Sequence, residues 1–367
     1  MTAHSEQIGV VVVNFGEPAD ATPDRVERYL QRIFLQNVDL ESHTADAALA
    51  RAQQLAKDRT PGLVEDYRRI GGSPLNAQAD AQAAALRRAL VGEGWAVEVY
   101  SAFQFTPPDI EARIAEAKES GVERLVVLPL YPLCGQSTTV AALSRAREAA
   151  RALGWSPRLQ SISGWHDDAD YVHLRVDGIR EFIRTRELDL QDPETLLYFS
   201  VHGTPIKYLN EGNRYDRYVE EHTREIATRL GVPDRYAVGF QNHTNRRIEW
   251  TQPDNSDRMA SVSERRLVVV PIAFMHEQSE TLVELDRDLR EHAEALGKEF
   301  YRVPVPYDDH RFVAFMAELV KRVVAGPGAP GDGLAPCRCD AVKGTWCTNG
   351  DRDLPASPYV PAVPRPA

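Results

Sequence analysis

The chain has 367 residues, 43% hydrophobic and 26% charged, with a formal net charge of −11 at neutral pH, the make-up of a globular protein long enough for two domains with separate cores. The acidic balance excludes nucleic acid, which needs a basic face, and leaves room for a cationic ligand such as a metal ion. No apolar run nears the roughly 18–20 residues of a membrane span and the polar Met1–Gln7 is no signal peptide, so the expectation is a cytoplasmic protein whose four cysteines are reduced thiols or metal ligands rather than disulfides.

In chain order, the first apolar run predicts a strand at about 8–14, closed by Asn14-Phe15-Gly16-Glu17-Pro18. Further strand-like runs follow at about 95–101, 124–130, 157–163, 195–201, 235–241, 266–272 and 299–305. Helical patterns lie between them, clearest at about 76–91, 137–153, 168–187, 214–230, 279–296 and 309–325. This alternation predicts parallel sheets covered on both faces, four strands to each half, with ligands at the strand C-terminal ends. The expected organisation is a first lobe over 1–165, a second over 166–308, a closing helix at 309–326 and a Pro- and Gly-rich, loosely ordered tail at 327–367. Residues about 36–75 have no counterpart in the second half and are well placed to form a lid over a cleft. Their apolar content (Val38, Leu40, Leu49, Leu55) is mild, so at most weak peripheral membrane contact is expected.

Residues 123–153 and 265–295 are one segment written twice at an offset of 142: ERLVVLPLYPLCGQSTTVAALSRAREAARAL against RRLVVVPIAFMHEQSETLVELDRDLREHAEA. Each copy is an apolar run closed by Pro, a polar turn and a helical pattern, which is half of a βα unit. Asn14-Phe15-Gly16-Glu17-Pro18 pairs in the same way with Val201-His202-Gly203-Thr204-Pro205, and Ser101-Ala102-Phe103-Gln104 pairs with Val238-Gly239-Phe240-Gln241. Three strand ends recurring in one order indicate two similar lobes facing each other across a cleft.

The copies differ at chemically informative positions. His276, Glu277, Glu280, Glu284 and Asp288 stand opposite Cys134, Gly135, Thr138, Ala142 and Ala146. Glu280, Glu284 and Asp288, spaced i, i+4, i+8, share one helix face. Stacked like charges cost a few tenths of a kcal/mol per pair, so this is either a solvated face near Arg287 and Arg290 or a path for a hydrated divalent cation or for protons. Their place at the start of a helix, at a strand's C-terminal end, favours the path, and oxygen ligands suit hard or borderline cations. His202 stands opposite Phe15. A lone His at a strand end is more often structural than catalytic, but this one can exchange protons near neutral pH and its twin is a flat apolar ring. A flat ligand between the two, with carboxylates behind His202, is the expectation.

These residues resemble ferrochelatase, the family that inserts ferrous iron into a porphyrin in haem synthesis. The resemblance runs from about residue 8 to 325, through GVVVVNFGEP, YRRIGGSPL at 67–75, LPLYP and STT within 128–139, SVHGTP at 200–205, FQ…W…P across Phe240–Pro253 and, most specifically, PIAF and ETLVELD within 271–286. It implies an α/β chelatase fold of two Rossmann-like lobes, each a four-stranded parallel sheet flanked by helices. The porphyrin, protoporphyrin IX or coproporphyrin III, would lie in the cleft, with ferrous iron as second substrate and two protons released. Residue by residue, His202 matches the family's active-site histidine and Glu280 its glutamate partner, while Glu284 and Asp288 match the acidic path of the metal to the surface. Trp250 matches the aromatic residue flanking the macrocycle, Phe15 the variable position opposite the histidine, and Tyr131, Ser137 and Thr138 further porphyrin contacts. The chain departs from the pattern at Gln104-Phe105, where Arg-Tyr is frequent, and at Gln278, where His is common.

Some members of that family hold a 2Fe–2S cluster with one body cysteine and three near the C-terminus. Cys134 with Cys337, Cys339 and Cys347 has that arrangement, although animal members place the body cysteine two residues later. Four thiolates suit such a cluster or a structural zinc, and unrelated thiols are the third reading. Rival functions are a sirohydrochlorin-type cobalt or iron chelatase, whose later motif tends to carry a second His, and a non-catalytic tetrapyrrole or metal carrier, which has no need of a base. The sequence leaves a homodimer open.

Overall fold

Four consecutive valines suit a strand buried on both faces, and all seven residues of β1 (Ile8–Asn14) are buried. The structure, a computed structural model, describes residues 6–40, 44–243 and 248–325 and the backbone of 345–346. β1 lies in a parallel sheet with β2 (Val97–Phe103), β3 (Arg124–Pro129) and β4 (Arg158–Ile162), in the order β2-β1-β3-β4. A second parallel sheet holds β5 (Thr195–His202), β6 (Tyr236–Gln241), β7 (Arg266–Pro271) and β8 (Glu299–Arg302), in the order β6-β5-β7-β8. The second order is the first with four added to each number. The registers agree as well: Ile8 pairs with Arg124 in one sheet and Thr195 with Arg266 in the other. The repeat read from the sequence is thus a repeat of topology, and the eight expected strands are present with ends shifted by at most three residues.

The tail adds a strand that its composition does not announce. The backbone of β9 (Thr345–Trp346) runs parallel to β4, with Ser161 opposite Thr345 and Ile162 opposite Trp346. Cys337, Cys339 and Cys347 lie outside the described residues.

The first half carries helices α1 (Pro23–Gln36), α2 (Ala45–Ile70), α3 (Leu75–Gly92), α4 (Ile110–Glu119) and α5 (Ala141–Ala152). The second carries α6 (Ala169–Thr185), α7 (Ile206–Asn210), α8 (Tyr215–Arg229), α9 (Asn255–Ser261), α10 (Arg290–Ala295) and α11 (His310–Ala325). α11 closes the chain by returning to the first sheet, where Phe312, Phe315 and Leu319 pack with Ile8, Val10 and Leu86. α6 is shared: Tyr171 and Leu174 join that cluster, while Val172, Val176 and Ile179 join the second-lobe core around Phe199 and Val201. Leu133, Cys134 and Val140, from the turn after β3, also pack into the second-lobe core. Each fully buried aliphatic chain contributes roughly 1.5–3 kcal/mol, so the seam between the lobes is a packed interface.

Two local features differ from a plain reading of the pattern. The insert is a helix of 26 residues, α2, whose buried stripe is Ala48, Ala52, Ala56, Thr60, Val64 and Tyr67. These positions recur every three or four residues, and Ala56, Val64 and Tyr67 among them pack with Val26, Tyr29 and Leu30 of α1 and with Phe105. The second feature is that both repeated segments open as π-helix, at Gln136–Val140 and at Glu280–Leu289, before α5 and α10 continue them. Such turns are rare and concentrate at functional sites.

Candidate active site

His202 is the last residue of β5 and pairs in the sheet with Gln241, the last of β6. Its Nδ1 faces the Gly203 carbonyl oxygen at 2.6 Å, and the Tyr215 hydroxyl donates to the His202 carbonyl at 2.9 Å. Glycine is required at 203, because a Cβ there would collide with the Asn242 side chain and the Gln241 carbonyl. These contacts aim Nε2 at Glu280, whose Oε1 lies 3.2 Å away; the two side chains are 29% and 19% exposed. The other oxygen, Oε2, accepts from Gln278 Nε2 at 2.6 Å. Gln241 Nε2 donates to the Glu280 carbonyl at 3.1 Å and to Glu284 Oε2 at 3.0 Å. Gln278, a departure from the family pattern, and Gln241, part of its FQ motif, therefore hold the two carboxylates in place.

The electrostatics follow from this packing. Desolvation disfavours an imidazolium at His202, but Glu280 outweighs it by charge and hydrogen bond, with help from Gly203 and Glu284, so His202 is raised above the ordinary imidazole value. Burial alone would raise Glu280, and the charge and hydrogen bond of His202 instead hold it below the usual carboxylate range. Both shifts favour an imidazolium beside a carboxylate. For Glu284, burial and then the charge of Glu280 prevail over the Gln241 hydrogen bond and push it up to about 7. Asp288 is also raised, by desolvation and then by Asp66 of α2. Glu280 and Glu284 are half-buried and Asp288 is exposed, so the ladder runs from the pair to the surface beside the insert.

Four of the sequence-expected residues, His202, Glu280, Glu284 and Trp250, come together here. The Trp250 ring is 6.4 Å from His202, and Phe274 is 6.2 Å away. Phe15, Tyr131, Ser137 and Thr138 belong to the first lobe, with Tyr131 close enough to feel the Glu280 charge. Phe15 packs on Phe105 at 4.5 Å and Tyr29 at 6.3 Å. Tyr131 donates to Gln104 Oε1 at 2.5 Å, Ser137 Oγ to Asn37 Oδ1 at 2.7 Å and Thr138 Oγ1 to the Gly135 carbonyl at 3.4 Å. Cys134 is fully buried, and Asn213 Nδ2 donates to its carbonyl at 3.4 Å.

Two residues escaped the sequence reading. Glu17, 3% exposed, accepts from the Tyr67 hydroxyl at 3.1 Å, from Ser73 Oγ, and from Ser279 through both its backbone N–H at 3.1 Å and its Oγ. It ties the first lobe and the end of the insert to the residue before Glu280. Burial raises its pKa against these donors. The other is His243, whose ring lies 5.3 Å from His202 and 5.2 Å from Trp250. The available signal was loop length: three residues separate Gln104 from Pro108, whereas eleven separate Gln241 from Pro253. Those prolines are equivalent, since Pro108 O accepts from Phe103 N and Pro253 O from Phe240 N, each at 2.9 Å.

Residues 7–324 match the ferrochelatase family. The chain is 33% identical over 334 residues to the ferrochelatase of Synechococcus elongatus, covering 88% of this chain and 84% of that protein. It is 34% identical over 324 residues to the ferrochelatase of a Picosynechococcus species, covering 86% and 82%. Among solved structures it is similar to SirB from Bacillus subtilis with Fe3+, at a TM-score of 0.51 and 11% identity over 86% of this chain and 95% of that one, a likeness of fold alone. A match spanning both lobes and the site between them means that the chain belongs to the ferrochelatase family.

Proposed function

We propose that the chain inserts ferrous iron into a porphyrin held between its lobes and releases two protons, a late step of haem synthesis. The observation that carries this reading is the His202–Glu280 pair, 3.2 Å apart at the end of β5. A porphyrin keeps its lone pairs in the ring plane and carries two N–H protons, so the ring must bend before iron can enter and the protons must leave as it does. Clamping between the lobes supplies the distortion from contacts at the ring edge, with Trp250 on the His202 side and Phe15, Tyr131, Ser137 and Thr138 on the other. His202 Nε2 takes the pyrrole protons one at a time and passes each towards Glu284 before accepting the next. Its resting proton is released as the divalent cation approaches, because added positive charge lowers the pKa of both members of the pair. Glu284 and Asp288 lead from the pair to solvent and serve ion traffic. The flat product fits the bent site less well and leaves. The test is anaerobic iron insertion, read by porphyrin fluorescence loss, for wild type and His202→Ala on protoporphyrin IX and coproporphyrin III. Equal rates for the two proteins would remove the catalytic assignment, and the better substrate of the two names the porphyrin.

Cys134 with Cys337, Cys339 and Cys347 would hold a 2Fe–2S cluster. The support is that β9 brings the tail to the edge of β4, next to the strand whose following turn carries Cys134, and that Cys347 follows Trp346 in the chain. Such a cluster would link the tail to the first lobe, and no step of the insertion passes through it. Absorption of aerobically purified protein at roughly 400–600 nm decides the matter: no bands there leaves zinc or separate thiols. A cytoplasmic location belongs to the same proposal. Among the described residues no helix is long and apolar enough to cross a membrane. Fractionation tests the location, and sedimentation tests the homodimer.

A further inference from the structure

Next to the paired His202 and Glu280 the cleft holds a third ligand-bearing side chain. We propose that His243 is a third ligand for the incoming metal, so that His202, His243 and Glu280 form a two-imidazole, one-carboxylate site that holds a borderline divalent cation against the porphyrin face, and His202 Nε2 takes pyrrole protons only after the cation has passed from it to the ring. The inference rests on the reading of the cleft as a metal-insertion site.

The ligand atoms of the three residues all lie within 4.8 Å of one another. Two of them are already at coordinating separation. Metal–ligand bonds of about 2.0–2.2 Å set two ligand atoms on one tetrahedral or octahedral metal about 3.0–3.5 Å apart, and His202 Nε2 and Glu280 Oε1 are 3.2 Å apart. Their outer contacts are those of metal ligands. His202 Nδ1 is engaged by the Gly203 carbonyl and Glu280 Oε2 by Gln278, which leaves Nε2 and Oε1 to point at one spot. His243 needs only to close the remaining angstrom or so. Its ring stands edge-on to His202, with 66° between planes, and to Trp250, with 80°, so it is held on the same side of the cleft. It is also exposed, which leaves the side chain room to turn.

The loop that carries it supports the same conclusion. Between equivalent anchors, Gln104 to Pro108 and Gln241 to Pro253, the second lobe has eight more residues, eleven against three, and His243 and Trp250 both lie in that extension. The elaboration occurs in the lobe that has the base and not in its twin. Two imidazoles with one carboxylate favour Fe2+, Co2+ and Zn2+ over Mg2+, Ca2+ and Mn2+, which take oxygen ligands. His243 would therefore tighten binding and sharpen the choice of metal.

The test titrates the full chain with Co2+ alone, without porphyrin, and follows the visible absorption of the bound ion. The cleft component is the part lost in His202→Ala; every variant keeps its cysteines, so differences report the cleft. His243→Phe keeps a ring against Trp250 but no ligand, and His243→Asp supplies an oxygen in place of nitrogen. The expected result is Co2+ affinity weaker by tenfold or more in His243→Phe, since even outer-shell changes cost roughly 10–100-fold. The visible band should change with the loss of a ligand, His243→Asp should recover most of the affinity, and Mn2+ affinity should stay nearly constant. Equal Co2+ affinity and an unchanged band in His243→Phe overturn the third ligand. That outcome is separable from failure of the functional reading, which would show as a wild-type protein that inserts no iron into either porphyrin.

Discussion

The turns that follow β3 and β7 are the same device in two chemical states. Both open as π-helix, and in both a glutamine at the end of the strand two places away in the sheet clamps the first turn through a carbonyl at 3.1 Å: Gln104 on Ser137, Gln241 on Glu280. In the first lobe the positions that follow are Thr138, Ala142 and Ala146, of which both alanines are fully buried, and the facing strand end offers Phe15. In the second they are Glu280, Glu284 and Asp288, and the facing strand end offers His202. The backbone that positions the pair is thus present on both sides, and only in the second lobe do these equivalent positions carry an imidazole and carboxylates. Burying carboxylates is costly unless they are paired, and the second lobe meets that cost with His202, Gln241 and Gln278.

The sharpest way to break this comparison is to truncate equivalent residues. His202→Ala should lower kcat for iron insertion about 10²–10⁴-fold, the range of a lost general base. Phe15→Ala should leave kcat within a few-fold and act mainly on KM for the porphyrin. Steady-state kinetics on both variants checks it, and comparable losses in kcat would mean that the two walls are not chemically distinct.

A smaller effect is expected in the pH profile. His202 must lose its proton to act, and Glu280 raises its pKa, so the acid limb of kcat/KM should lie above the ordinary imidazole value of about 6.5. Glu280→Gln removes the charge that favours the imidazolium. Its rate at the optimum should fall, and its acid limb should move to lower pH. A limb that stays in place in Glu280→Gln would show that the carboxylate does not set the base.

Glu17 offers a third test, on stability as well as rate. Glu17→Ala leaves the Ser279 N–H and the Ser73, Ser279 and Tyr67 hydroxyls without their shared acceptor, and unsatisfied buried groups cost about 1–3 kcal/mol each. The expected outcome is a lower Tm with a several-fold loss of kcat, because Ser279 immediately precedes Glu280. Glu17→Gln, which keeps an acceptor, should recover part of both. An unchanged Tm in Glu17→Ala would remove the tie between the lobes.

Most of the fold was legible because parallel strands buried on both faces write themselves as apolar runs, and the duplication repeated each run with its closing residues. His202, Glu280 and Glu284 were legible because they break that repeat. What escaped has physical reasons too. The long insert helix buries Ala48, Ala52, Ala56 and Thr60, which carry little hydrophobic signal. The strand Thr345–Trp346 is two residues in a Pro- and Gly-rich tail. Glu17 gains its meaning only from Tyr67, Ser73 and Ser279, far away in sequence. His243 lies in a loop with no twin, so comparison of the copies could not isolate it.

The smallest effect on activity is expected from writing the second lobe's chemistry into the first. Thr138→Glu places a carboxylate where Glu280 stands in the twin, but the residue of this lobe that corresponds to His202 is Phe15, which offers neither charge nor hydrogen bond. Such a carboxylate turns to solvent or takes up a proton, so kcat for iron insertion should stay within two- to three-fold of wild type, since His202 and Glu280 are untouched, while KM for the porphyrin that Thr138 contacts should rise. Phe15→His alone should likewise add no metal binding. The double variant should differ from the sum of the singles, because the shared backbone would place imidazole and carboxylate as it places His202 and Glu280. A Co2+ titration of the four proteins measures that coupling as a double-mutant cycle. A gain confined to the double variant would show that the first lobe retains the geometry of the site and lacks only its residues. No gain would mean that the eight-residue extension bearing His243 and Trp250, absent from the first lobe, is as necessary to the metal site as the pair itself.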